Sequence, residues 1–136
     1  MIDWKNEEVT EQTDGIIISA YKEQLDCDTD KRSLWGYCLR IENNSNQRIR
    51  LLKKDFCLTD SSGKNTYDFS DGFNGEIPDL EPGEFFEYED TAIVESEAVL
   101  YGSCVAQKAN GMRMSIKLPV LQLNSQTPAN LLSYAC

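Results

Sequence analysis

Along most of this chain apolar and polar side chains alternate every second residue, the repeat of strands half-buried in a sheet rather than of helices. Trp35, Tyr37, Leu39 and Ile41 fall on one face of such a segment, with Cys38, Arg40 and Glu42 on the other. Ile16 and Ile18 alternate in the same way with Ile17 and Ser19. After the turn residues Asn43-Asn-Ser-Asn-Gln47, Ile49 and Leu51 begin a third apolar face, which Phe56 and Leu58 continue at even instead of odd positions. One extra residue flips the facing of everything after it, so a bulge or bend is expected near Lys53-Lys-Asp55; in sandwiches such a feature also lets a strand change sheets.

Turn chemistry separates the remaining strands. Thr59-Asp-Ser-Ser-Gly-Lys64 precedes a short strand from Asn65 to Phe69. Leu80-Glu-Pro-Gly83 puts Pro and then Gly at the central positions of a type II turn, where Gly takes a positive φ without steric cost. Beyond it, Phe86 and Tyr88 share the inward face and Phe85, Glu87 and Glu89 the outward one. Ala98 to Gln107 and Met112 to Leu118 pair across Ala109-Asn-Gly111, and Pro119 suits an edge or a bend. About seven short strands with no amphipathic helix predict an all-β fold, an immunoglobulin- or fibronectin-III-like β-sandwich. With 136 residues, 40% of them hydrophobic, the chain fills one core. The domain is expected to span 14–123, its folded part starting at Gly15. Residues 1–13 form a polar N-terminal flank, and 124–136 a tail carrying Leu131, Leu132 and Tyr134.

Charge is distributed unevenly. Between Asn65 and Gln107 there are eleven carboxylates and no Lys or Arg, so this segment accounts for the whole net charge of −10. A field of that sign favours basic partners and cations and repels nucleic acid, whose binding needs a basic stripe. The chain contains no histidine, which removes Ser-His-Asp, Cys-His and His-metal chemistry together. Five cysteines without a C-x-x-C pair suit neither a disulfide framework nor a zinc finger. Cys104 is expected to face inward, whereas Cys27 and Cys136 are the exposed thiols. No apolar run approaches the roughly 20 residues that span a bilayer, and the polar N-terminus does not resemble a secretory signal. A cytoplasmic protein without a membrane partner is expected.

Trp35-Gly-Tyr-Cys-Leu-Arg-Ile-Glu-Asn43, Ile49-Arg-Leu-Leu-Lys-Lys-Asp-Phe-Cys-Leu-Thr-Asp60, Gly72-Phe-Asn-Gly-Glu-Ile-Pro78, Leu80-Glu-Pro-Gly-Glu84 and Phe86-Glu-Tyr88 follow one another in the order and spacing of the ApaG family, which the chain resembles from about Ile16 to Leu123. The resemblance implies a fibronectin-III-like sandwich. It also implies a functional setting: bacterial members are linked to cobalt resistance and magnesium efflux, and related eukaryotic domains, in F-box proteins and a polymerase-delta-interacting protein, look like protein-recognition modules. The family's G-x-G-x-x-G loop, read as a nucleotide or pyrophosphate site, corresponds here to Ser70, Gly72 and Gly75, so the first glycine is missing. Asp55 stands where the family usually has histidine, and Cys104 where tyrosine is common.

The expected function is therefore a non-enzymatic module that binds a basic or amphipathic protein partner through Phe73, Phe85, Glu76, Asp79, Glu84 and Glu87, with no catalytic residues, cofactor or dedicated metal site. Phe73 is placed at the tip of the glycine loop and Phe85 on the outward face of its strand, aromatic anchors among steering acids. Both should be removable at little cost in stability. The alternative is a small-ligand sensor for polyphosphate, nucleotide or a divalent cation. Glu76, Asp79, Glu81 and Glu84 could supply oxygen ligands, but the spacing of a Ca²⁺ loop is absent.

Overall fold

The computed structural model describes residues 8–27 and 32–124; Leu131, Leu132, Tyr134 and Cys136 lie outside the described residues, as does the side chain of Cys27. Two antiparallel sheets pack face to face. Sheet A runs in the order β1 (Val9–Thr13), β2 (Ile16–Cys27), β3 (Arg32–Asn43), β7 (Phe85–Glu95). Sheet B runs β10 (Leu121–Leu123), β8 (Ala98–Lys108), β4 (Ile49–Asp60), β5 (Asn65–Asp68), with β6 (Asp79–Leu80) on β4 and β9 (Arg113–Lys117) on β8. The described residues thus hold ten strands instead of about seven. The additional ones, β1, β6 and β10, have 5, 2 and 3 residues, too few to show a period. β1 lies inside the segment expected to be a flank and pairs along its whole length with β2, from Val9 opposite Ala20 to Thr13 opposite Ile16.

The expected alternation holds where the strands are long. Ile16, Ile18 and Ala20 of β2 and Trp35, Tyr37, Leu39 and Ile41 of β3 are buried against Leu51, Phe56, Leu100, Cys104, Ala106 and Ile116 of sheet B. Burying one such side chain contributes about 1.5–3 kcal/mol, so the two inner faces are the main stabilising element. In β4 the register against β8 slips between Leu51 and Lys53. That bulge carries the inward facing from Ile49 and Leu51 to Lys54 and Phe56. The strand nevertheless stays in sheet B along its full length and does not change sheets.

Asn43, fully buried at the end of β3, ties three connections together. Its side-chain amide donates to Gln47 O and Leu80 O, each at 2.8 Å, and its Oδ1 accepts from Ser45 N at 3.0 Å. Its backbone N–H donates to Glu84 O and its carbonyl accepts from Gly83 N. The Pro-Gly turn has the expected form, with Gly83 at φ 91° and Glu84 N donating to Glu81 O at 2.9 Å. It returns the chain from β6 in sheet B to β7 at the edge of sheet A.

Candidate functional site

The glycine loop folds as a tight hairpin. Asn74 and Gly75 both have positive φ, 53° and 85°, and the flanking residues exchange Phe73 N–H to Glu76 O at 2.7 Å and Glu76 N–H to Phe73 O at 3.0 Å. This is the Asn-Gly type I′ geometry, whose twist matches that of the strands it joins. It drives Phe73 between the sheets, with 0% exposure and edge contacts to Phe56, Phe86 and Tyr88 at 6.4, 5.7 and 5.4 Å. Phe73 is therefore a core residue and not an exposed anchor: the turn tip carries Asn74 and Gly75, and the aromatic one position earlier points down. Gly72 N donates to Leu52 O at 2.7 Å, and a Cβ on Gly72 would press on the Glu76 carbonyl. The amides of Gly72, Phe73 and Glu76 are thus committed to protein acceptors, and a phosphate would have to displace those bonds.

The carboxylates expected to surround this loop are dispersed. Asp79 meets Arg50 at 3.2 Å and Glu81 meets Arg48 at 3.8 Å, both on the β4 side of sheet B. Glu84 Oε1 accepts from Glu81 N at 2.7 Å and so belongs to the Pro-Gly turn. Glu76 is exposed at the hairpin end. Of the residues expected to form one partner-binding face, Phe85 and Glu87 are neighbours on one surface. Among the described residues, no three of His, Cys, Asp and Glu gather where they could hold a metal ion.

That surface is the outer face of sheet A. Pairing of β2, β3 and β7 lines up cross-strand rows: Ile17, Glu42, Phe85; then Ser19, Arg40, Glu87; then Tyr21, Cys38, Glu89; then Glu23, Gly36, Thr91. An open groove of about 800 Å³ runs over the last three of these rows, and its walls bring four carboxylates, Glu23, Glu87, Glu89 and Asp90, against one cation, Arg40. Gly36 supplies the floor; a Cβ there would meet Leu25 Cδ1 at 3.1 Å. Arg40 is already engaged, its guanidinium 3.6 Å from the centre of the Phe85 ring and 3.6 Å from Glu42. Among the described residues neither Glu87 nor Glu89 is in an ion pair. The Cys38 thiol beneath them is pushed up to about 11, first by burial and then by Glu87 and Glu89, so it stays protonated at neutral pH. Phe85, 46% exposed, lies one row beyond the groove, with the Arg40 guanidinium over its ring. As expected from parity, it points out while Phe86 and Tyr88 point in.

A second polar cluster escaped the sequence reading. Lys54, only 5% exposed, reaches Asp68 at 3.3 Å and Tyr88 Oη at 3.2 Å and lies over the Tyr88 ring. Tyr88 in turn donates to Asp90 Oδ2 at 3.0 Å. Burial and then the Asp90 carboxylate raise the Tyr37 and Tyr88 phenols, which keeps both protonated. Burial opposes ionisation of Asp68, but bonds from Ser70 and the Lys54 charge overcome it and hold the carboxyl below the ordinary range. The parity shift at Phe56 was the available signal: the same shift carries Lys54 inward. The groove residues Tyr21, Glu23 and Leu25 were missed because β2 continues well past Ser19, through a register irregularity between Gln24 and Asp26. Cys104 is buried as expected, and burial followed by Asp55 pushes its thiol up to about 12.

Fold and site together define a small two-sheet β-sandwich with an open acidic face. The chain belongs to the ApaG domain family, whose description matches residues 23–106. Protein ApaG of Agrobacterium fabrum is 30% identical over 105 residues, 76% of this chain and 80% of that protein. Protein ApaG of Rhodospirillum centenum is 29% identical over 119 residues, 87% of this chain and 92% of its own length. Among solved structures, a Bordetella pertussis protein designated ApaA superposes with a TM-score of 0.78 at 19% identity, covering 83% of this chain and 95% of that one, a likeness of fold. Among the described residues no helix is long and apolar enough to cross a membrane.

Proposed function

We propose that this chain is a non-enzymatic binding module that recruits a basic or amphipathic protein segment to the outer face of sheet A. The observation that carries the reading is the groove over β2, β3 and β7, with its four carboxylates, one engaged cation and the Arg40–Phe85 stack at its end. Carboxylates at a groove rim steer a cationic partner and fix its orientation, while the apolar surface of Tyr21, Leu25 and Phe85 supplies area to bury. The free thiols of Cys38, Cys57 and Cys104 fit a reducing, cytoplasmic setting. A peptide alternating Lys and Val is a suitable probe. Reversing two charges, Glu87→Lys with Glu89→Lys, should weaken its binding by at least about tenfold, and the wild-type affinity should fall as salt is raised. The same substitutions should leave the unfolding midpoint nearly unchanged, because both side chains are exposed. Unaltered affinity in the charge-reversed variant would overturn the reading.

A further inference from the structure

Sheet A ends on β7, an edge of eleven residues. The other strands that end a sheet are short. β1 has 5 residues and lies close to β9, where Lys117 N donates to Thr13 Oγ1 at 3.2 Å; β5 has 4 residues. Along β7 the pairing with β3 uses every second residue. Asn43 N–H bonds Glu84 O, and strict alternation from that pair makes Phe86, Tyr88, Asp90 and Ala92 the residues hydrogen-bonded to β3. The backbone groups of Phe85, Glu87, Glu89, Thr91 and Ile93 then face away from the sheet. Thr91 N–H fits this parity, since it donates to the Asp90 side chain at 2.8 Å. At the far end, Ser61 Oγ on Glu95 O closes the strand, so the open stretch is Phe85 to Ile93.

Side chains decide what could pair there. β7 carries Glu87, Glu89, Asp90 and Glu95 and no cation. A second copy pairing through the same edge would set rows of carboxylates against each other, and like charges directly opposite are destabilising. A strand with Lys or Arg at alternate positions would answer Glu87 and Glu89 on the outer face. On the inner side, β7 borders a space of about 230 Å³ whose lining includes Phe56, Leu58, Leu100 and Ala92 together with Thr66, Asp68 and Asp90. That space fits aliphatic side chains at the intervening positions of the same strand.

We propose that β7 is an open docking edge to which an extended peptide of alternating basic and aliphatic residues adds as a further strand of sheet A. The inference rests on the acidic-face reading above and adds that recognition runs through the backbone. Main-chain hydrogen bonds supply affinity in strand addition, and alternate pockets supply specificity.

The test compares the Lys-Val peptide with the same sequence N-methylated at every second residue, on the N–H groups it would turn toward β7, which keeps charge and side chains but removes the peptide's donors to the edge. Titration calorimetry should show at least about tenfold weaker binding for the N-methylated peptide, the factor expected for losing net hydrogen bonds. Amide exchange at Glu87, Glu89 and Ile93 should slow when the unmodified peptide binds. Equal binding of both peptides would overturn the docking edge while leaving the acidic groove as a side-chain-only site. Binding of neither would overturn both readings.

Discussion

At the scale of single residues, the two aromatics singled out from the sequence have opposite roles. Phe73 fills the junction of Phe56, Phe86 and Tyr88, and Phe85 lies on the surface under Arg40. Phe73→Ala should therefore cost about 3–5 kcal/mol by chemical denaturation, the range for emptying an aromatic core site. Phe85→Ala should cost under about 1 kcal/mol, since it removes one partly exposed stack. Equal and small losses would place Phe73 outside the core. Parity along β7 was enough to read Phe85 correctly. It could not read Phe73, whose direction is set by two consecutive left-handed residues in a loop, a geometry that an Asn-Gly pair announces but that has no period.

Elements are held by contacts that no single strand displays. Asn43 appears in the sequence as the first residue of a turn, yet it is fully buried and satisfies Leu80 O and Gln47 O from one amide group. Replacing it with Ala leaves two carbonyls without that donor, so Asn43→Ala should cost about 2–3 kcal/mol. Urea unfolding measures this directly, and a cost below about 0.5 kcal/mol, the range of an ordinary surface substitution, would show that the three connections stand without it. The bulge in β4 was legible from Phe56 and Leu58 changing parity relative to Ile49 and Leu51. Its consequence for Lys54 was equally implied, because an inward position carries whatever residue occupies it. What could not be read was the pairing of strands. The acids of 65–107 look contiguous along the chain, but β6 joins sheet B and β7 joins sheet A, which separates Asp79 from Glu87.

For the molecule as a whole, this separation turns a uniform acidic segment into two surfaces. On sheet B, Asp79 and Glu81 are matched by Arg50 and Arg48; on sheet A, neither Glu87 nor Glu89 is in an ion pair among the described residues. Stability should follow pH in two stages. Lowering pH from neutrality relieves the self-repulsion of a net −10 chain. Asp60, through the Ser62 hydroxyl and the amides of Lys64 and Ser62, has its folded pKa below the ordinary value, as does Asp68. A carboxyl depressed in the folded state stabilises it above the unfolded pKa of about 3.9 and loses that contribution as pH falls through the folded value. The urea midpoint should therefore fall below about pH 4, and less steeply in Asp60→Asn. An identical slope in that variant would contradict the assignment.

In the binding module proposed above, the unmatched carboxylates of sheet A, and not the net charge, select the partner. The most direct measurement is the affinity of the Lys-Val peptide for two variants with equal charge loss, Glu87→Gln with Glu89→Gln and Asp79→Asn with Glu81→Gln. The first should bind at least about tenfold more weakly than wild type, and the second within about twofold. Equal weakening in both would mean that the peptide responds to the overall field, and the assignment of a site to sheet A would fail.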